Sequence, residues 1–451
     1  MRKTNPISFF PFLFVLPALV ACGACERKNA KAARASRYLA LTIAQASSPH
    51  SNNRNELNRI EEQRVYLDAS VSMSGFVNPR DHSTFDDFID EIGNALPGCQ
   101  LYKYGQSGQA PPKTVSELAN RVGFSLELHR PSFYNLRYNP DDRLIDDLGS
   151  DDKRVLSVLI TDGVYSEVGG GTPPPVVGAI QKWMERGRAF GILVLRSRFS
   201  GPFYSERARA MMRSFSVEAR PFYAFVFSPT EQAFKELQEK LHTRFPELRT
   251  ILFSDNGVTC TLTIPESEKG LYSHAKPPEA PYYWSMFDPR LFEQKEPTWL
   301  DYGIKYEPAP DYPAAEFKPN IQSEYYRWIG GHFEKAPEGT PPAFRCEMQT
   351  PDGSQKIGTL PSSTRPDFVI HTLLARDATC DFSFYHLNLS ISFKSLRQDI
   401  RDLSTRDDSV RDNANKTFRF FELVNALTQV HFKTRLAHKT SPSLFVTAAN
   451  H

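Results

Sequence analysis

The chain has 451 residues, of which 40% are hydrophobic and 24% charged, and its 54 basic side chains nearly balance 52 acidic ones. Typical domains run to roughly 100–200 residues, so this length predicts two or three domains with cores of their own. A formal charge of +2 gives no sign of a nucleic-acid-binding chain, and no nucleic-acid partner is expected.

Residues 1–21, "MRKTNPISFFPFLFVLPALVA", have a basic start, an apolar stretch and a small-residue exit, the layout of an export signal. Pro6, Pro11 and Pro17 argue against a stable membrane-spanning helix. The exit Leu19-Val20-Ala21-Cys22 resembles a bacterial lipobox, which implies cleavage before Cys22 and acylation of that cysteine. An ordinary signal peptide followed by an incidental cysteine is the alternative. The expected location is the bacterial cell envelope, with the chain held at the membrane by its lipid. In a Gram-negative cell, Gly23 in place of an aspartate points to the outer membrane, facing the periplasm.

Residues 22–61 carry too little apolar surface for a core and read as a flexible tether. Beyond Cys22 the cysteines are Cys25, Cys99, Cys260, Cys346 and Cys380, an odd set that leaves at least one thiol over in an oxidising compartment. One bridge is expected among Cys260, Cys346 and Cys380, with Cys346–Cys380 the preferred pairing and Cys99 a small core residue.

From 62 to 253, short apolar runs alternate with helical patterns, as in a parallel sheet with crossover helices. "RVYLDAS" is the first strand, and "STFDDFIDEIGNAL" places Phe85, Phe88, Ile89, Ile92 and Leu96 on one helical face behind a Ser83/Asp86 capping box. "CQLYKYG" and "FSLELH" read as further strands, and "RVLSVLITDG" as a central strand buried on both sides. A helix over "PPPVVGAIQKWMERG" stops at Gly187; the strands "RAFGILVLRS" and "RPFYAFVFS" and the helix "TEQAFKELQEKLHTRF" follow. From 254 to 451 the pattern turns β-rich, with alternation in "VTCTLTI" and "LNLSISF" and one late helix in "TFRFFELVNALTQV". The aromatic run "APYYWSMFDPRLF" reads as core, with a ligand platform as its alternative.

In an open α/β sheet, ligands bind at the carboxyl ends of the strands. Asp68, Ser70 and Ser72 leave the first strand at that edge, and Asp162 in "LITDGVYSE" leaves the central one. Two carboxylates and two hydroxyls, with no His or Cys, suit a hard divalent cation, Mg2+ or Mn2+. The "DASVS" and "TDG" segments resemble the von Willebrand factor type A family and its metal-ion-dependent adhesion site. The resemblance implies a Rossmann-like domain over 62–253, with a mostly parallel central sheet flanked by helices. It also implies recognition, through Mg2+, of a protein partner offering an Asp or Glu carboxylate, with no catalytic residue. Asp68, Ser70, Ser72 and Asp162 match residue by residue. The family's middle threonine has no clear counterpart; Ser132, Asn139, Asp141 and Asp142 are the oxygen donors in its neighbourhood, and Asn139 is the candidate. Two alternatives are a metal-dependent hydrolase with His82 or the Asp141–Asp142 pair as base, and a structural lipoprotein with an empty site.

Overall fold

A computed structural model describes residues 57–77, 83–104, 115–117, 128–136, 154–163, 175–208, 210–263, 272–275, 282–287, 298–329, 332–335, 345–349, 365–374, 382–409, 411–436 and 443–449. The export signal, Cys22 and nearly all of the tether lie outside these residues.

The first sheet is built from β1 (Glu62–Asp68), β2 (Gln100–Tyr104), β3 (Val115–Glu117), β4 (Val155–Thr161), β5 (Ala189–Ser205), β6 (Ala210–Ser228) and β7 (Arg249–Phe253), in the order β3-β2-β1-β4-β6-β5-β7. Helices α1 (Thr84–Ala95), α2 (Pro175–Glu185) and α3 (Glu231–Arg244) lie between strands in the chain. Alternation along β1 and β4 splits their side chains between two cores. Val65, Leu67, Val158 and Ile160 meet Phe85, Phe88 and Ile89 of α1 and Leu237 and Leu241 of α3. Tyr66 and Leu159 face the other way, toward Ile180 and Trp183 of α2.

The expected Rossmann-like domain with a mostly parallel sheet is corrected by this topology. Only β2-β1 and β1-β4 are parallel; the pairs β3-β2, β4-β6, β6-β5 and β5-β7 are antiparallel, so the sheet is mixed. The reason is local. A parallel crossover needs about a dozen residues or more, whereas only the residues numbered 206–209 separate β5 from β6. A run of apolar residues buried on both faces looks alike in either orientation, and the expectation rested on such runs. Strands β5 and β6, of 17 and 19 residues, continue past their pairing with β7 at Val194 and with β4 at Tyr223 as a twisted ribbon. That ribbon folds over the 3-10 turn Val71–Phe76: a Cβ on Gly75 would stand 2.3 Å from the Phe199 ring, so glycine is what permits the approach.

The expected separation into a helix-flanked α/β unit followed by a β region is corrected too. The C-terminal strands β8 (Val258–Thr263), β9 (Tyr272–Ala275), β10 (Tyr282–Phe287), β11 (Thr298–Pro308), β12 (Ala314–Ile329), β13 (His332–Lys335), β14 (Arg345–Gln349), β15 (Phe368–Leu374) and β16 (Phe382–Leu396) precede helix α4 (Gln398–Asp402). The short pair β17 (Ser404–Thr405) and β18 (Thr417–Phe418), helix α5 (Phe420–His431) and β19 (Ser443–Ala449) complete the order. They form a six-stranded sheet, β13-β12-β16-β19-β10-β9, and a four-stranded one, β14-β15-β11-β8. Helix α5 returns to the first sheet, where Phe420 stacks on Tyr223 at 4.4 Å between ring centroids. One core therefore runs from Tyr66 and Trp183 through Tyr302 and Leu387 to Leu427. Arg435 fastens the junction, with a two-point ion pair to Asp255 at 2.6 and 2.9 Å and a bond to the Glu185 carbonyl.

Cys260 and Cys99 carry free thiols, which removes Cys260 from the expected bridge. The side chain of Cys346 and the whole of Cys380 lie outside the described residues. Among the described residues no helix is long and apolar enough to cross a membrane.

Candidate metal centre

β1 and β4 are parallel neighbours, with Leu67 paired to Ile160, so their next residues, Asp68 and Thr161, reach the same sheet edge side by side. From β1 the chain moves to β2 on one side and later to β4 on the other, which makes the β1/β4 edge a topological switch point, the crevice where such sheets bind ligands. Asp68 is 1% exposed and Asp162 4%. One Asp68 carboxylate oxygen accepts the Ser70 amide at 2.9 Å, and the other accepts the Thr161 hydroxyl at 2.9 Å. The Ser70 and Ser72 hydroxyls lie 3.0 Å apart, Ser70 buried and Ser72 partly open to solvent.

Backbone bonds hold this loop in place. Ala69 donates to Tyr104 of β2, Leu136 donates to Ala69, and Val71 donates back to Leu136, so the 128–136 segment brackets Ser70. On the β4 side, Gly163 has φ +70°, and a Cβ there would stand 2.5 Å from the Tyr223 ring. Only glycine takes this turn cheaply, and the turn carries Asp162 off the strand end.

Burial, and then the field of Asp162, push the Asp68 carboxyl up to about 7, against the pull of its bonds from Ser70 and Thr161. Arg220 of β6 answers part of this charge. It is almost wholly buried between the rings of Phe199 and Phe203, at 4.8 and 4.7 Å, and Asp162 is the largest attraction on it. Burial holds the guanidinium below its ordinary range.

No protein family, curated protein or solved structure matches this chain. Of the five residues expected as ligands, the structure gathers Asp68, Ser70 and Ser72 on one loop and sets Asp162 beside them on the neighbouring strand end. Asn139 lies outside the described residues, as do His82, Asp141 and Asp142; Ser132 is exposed on a 3-10 turn. Sequence reasoning missed Thr161, although its place in "LITDG" and the pairing of β1 with β4 put its hydroxyl against Asp68. It also missed Arg220, which no local pattern links to Asp162. Among the described residues, no three His, Cys, Asp or Glu side chains converge. The donor set here is instead two carboxylates with the hydroxyls of Ser70, Ser72 and Thr161, which fits Mg2+ or Mn2+ completed by water.

Proposed function

We propose that the protein holds Mg2+ or Mn2+ at Asp68, Ser70, Ser72, Thr161 and Asp162 and through it binds a carboxylate of a protein partner, the chain being tethered to the bacterial envelope by a lipid on Cys22. The observation that carries this reading is the pairing of two buried carboxylates, Asp68 and Asp162, at the switch point of the sheet. Two like charges in low dielectric demand a cation, and a proton on Asp68 or the Arg220 guanidinium supplies one when no metal is bound. A bound divalent ion would supply the positive charge that draws a partner's carboxylate. Within the chain, Asp68 and Asp162 neutralise charge, the Ser70 amide and the Thr161 hydroxyl fix the Asp68 carboxylate, and Ser72 marks the solvent side from which a partner approaches.

Calorimetric titration with Mg2+ and Mn2+ tests this directly. Saturable heat is expected for the natural chain and none for Asp68→Asn or Asp162→Asn, both of which should stay folded by circular dichroism. Saturable heat persisting in both variants would overturn it. A second reading, in which Arg220 and one proton satisfy the pair permanently and the site is structural, is favoured if the natural chain gives no heat at pH 8 while remaining folded.

A further inference from the structure

His129 places its two ring nitrogens on two carboxylates of α1: Nδ1 lies 2.9 Å from Asp86 Oδ1 and Nε2 3.0 Å from Asp90 Oδ1. Both ring nitrogens are thus engaged at once, which fixes the orientation of the ring. Asp86 is itself buried and fixed as the acceptor of the capping box, taking the Ser83 amide at 3.1 Å and its hydroxyl at 2.8 Å. His129 thus ties the 128–136 segment to the first turns of α1. The other end of that segment is Leu136, whose amide and carbonyl bracket Ser70 between Ala69 and Val71. Between the two ends the segment is stiff: Tyr134 is buried edge-on against Phe85 and donates to the Leu128 carbonyl, and Lys103 of β2 donates to the Phe133 carbonyl.

We infer that His129 is a positioning residue for the cation site: its ring, held at both nitrogens by Asp86 and Asp90, anchors the 128–136 brace that shapes the Asp68–Ser72 loop. This inference rests on the cation-binding reading above.

Asp90→Ala and Asp90→Asn together give the sharp test, because alanine removes one of the two anchors and the asparagine side chain still reaches Nε2. Asp90 is half-exposed and stands outside the cation site. Mn2+ affinity of the full chain is measured calorimetrically at one pH and read as the ratio of variant to natural chain. His129→Ala should weaken Mn2+ about tenfold and Asp90→Ala by about threefold, with Asp90→Asn recovering most of the affinity. In metal-free protein, amide-exchange protection of Val71 and Leu136 should fall about tenfold in His129→Ala and hold in Asp90→Asn. Protection in His129→Ala equal to that of the natural chain would overturn the brace. If protection behaves as expected and no chain gives Mn2+ heat, the cation reading fails and the brace stands.

Discussion

The two halves of the first sheet are built from similar apolar runs and do different things. In the parallel half, β2-β1-β4, the strands end together, and buried polar groups collect there: Asp68, Ser70, Thr161 and Asp162. In the antiparallel half, β6-β5-β7, neighbouring strands end at opposite edges and the interior is aromatic, with Phe190 against Phe225, Phe227 and Phe253. The lesson is geometric: parallel strands point several carboxyl ends at one spot, and antiparallel neighbours cannot. The antiparallel half sends one polar group across the divide, Arg220, on the ribbon that overhangs the site.

The largest effects should come from breaking the aromatic side. Phe222→Ala removes a buried ring in contact with Phe76, Phe85 and Phe88, and a loss of about 3–5 kcal/mol in denaturant unfolding is expected. A loss under about 1 kcal/mol would mean the ribbon is not part of the core. Next is Arg220→Met, which removes the buried guanidinium whose field acts on Asp162 and its stacking on the Phe199 and Phe203 rings. It should cost about 2 kcal/mol, and Mn2+ should restore part of that stability. Equal unfolding midpoints with and without Mn2+ in this variant would separate Arg220 from the site.

A smaller effect is a pH dependence confined to the parallel half. Asp68 keeps its proton in the folded chain up to about 7, whereas the unfolded carboxyl loses it near 3.8. The folded state binds the extra proton in that window, so metal-free stability should fall as pH rises from 4 to 7, by roughly 1 kcal/mol per pH unit. Asp68→Asn should flatten the slope, and an unchanged slope would place the titration elsewhere. The smallest is Thr161→Val, which takes one donor from Asp68 and should cost about 1 kcal/mol while weakening Mn2+ several-fold in titration.

Much of this was legible before any coordinates. The α1 helix, with its Ser83/Asp86 capping box and the buried face through Phe85, Phe88, Ile89 and Ile92, follows from periodicity and end signals, because both are local. Asp68, Ser70, Ser72 and Asp162 were readable for a related reason: polar residues at the end of an apolar run have few places to go but a strand edge. Strand direction was not readable at β5 and β6, because two-sided burial erases the alternation that would distinguish orientations. The roles of Arg220, Leu136 and His129 were hidden as well, since each acts on residues far away in the chain.

By itself the sequence determined what each segment is locally: the buried runs, the capped helix and the acidic, hydroxyl-rich ends of β1 and β4. Only the tertiary structure decided which ends share an edge, that the sheet is mixed, and that α5 from the far end of the chain completes the core around Tyr223. The physical reason is range. Periodicity and capping act over a few residues, whereas pairing and packing join residues that adjacency in the chain does not connect.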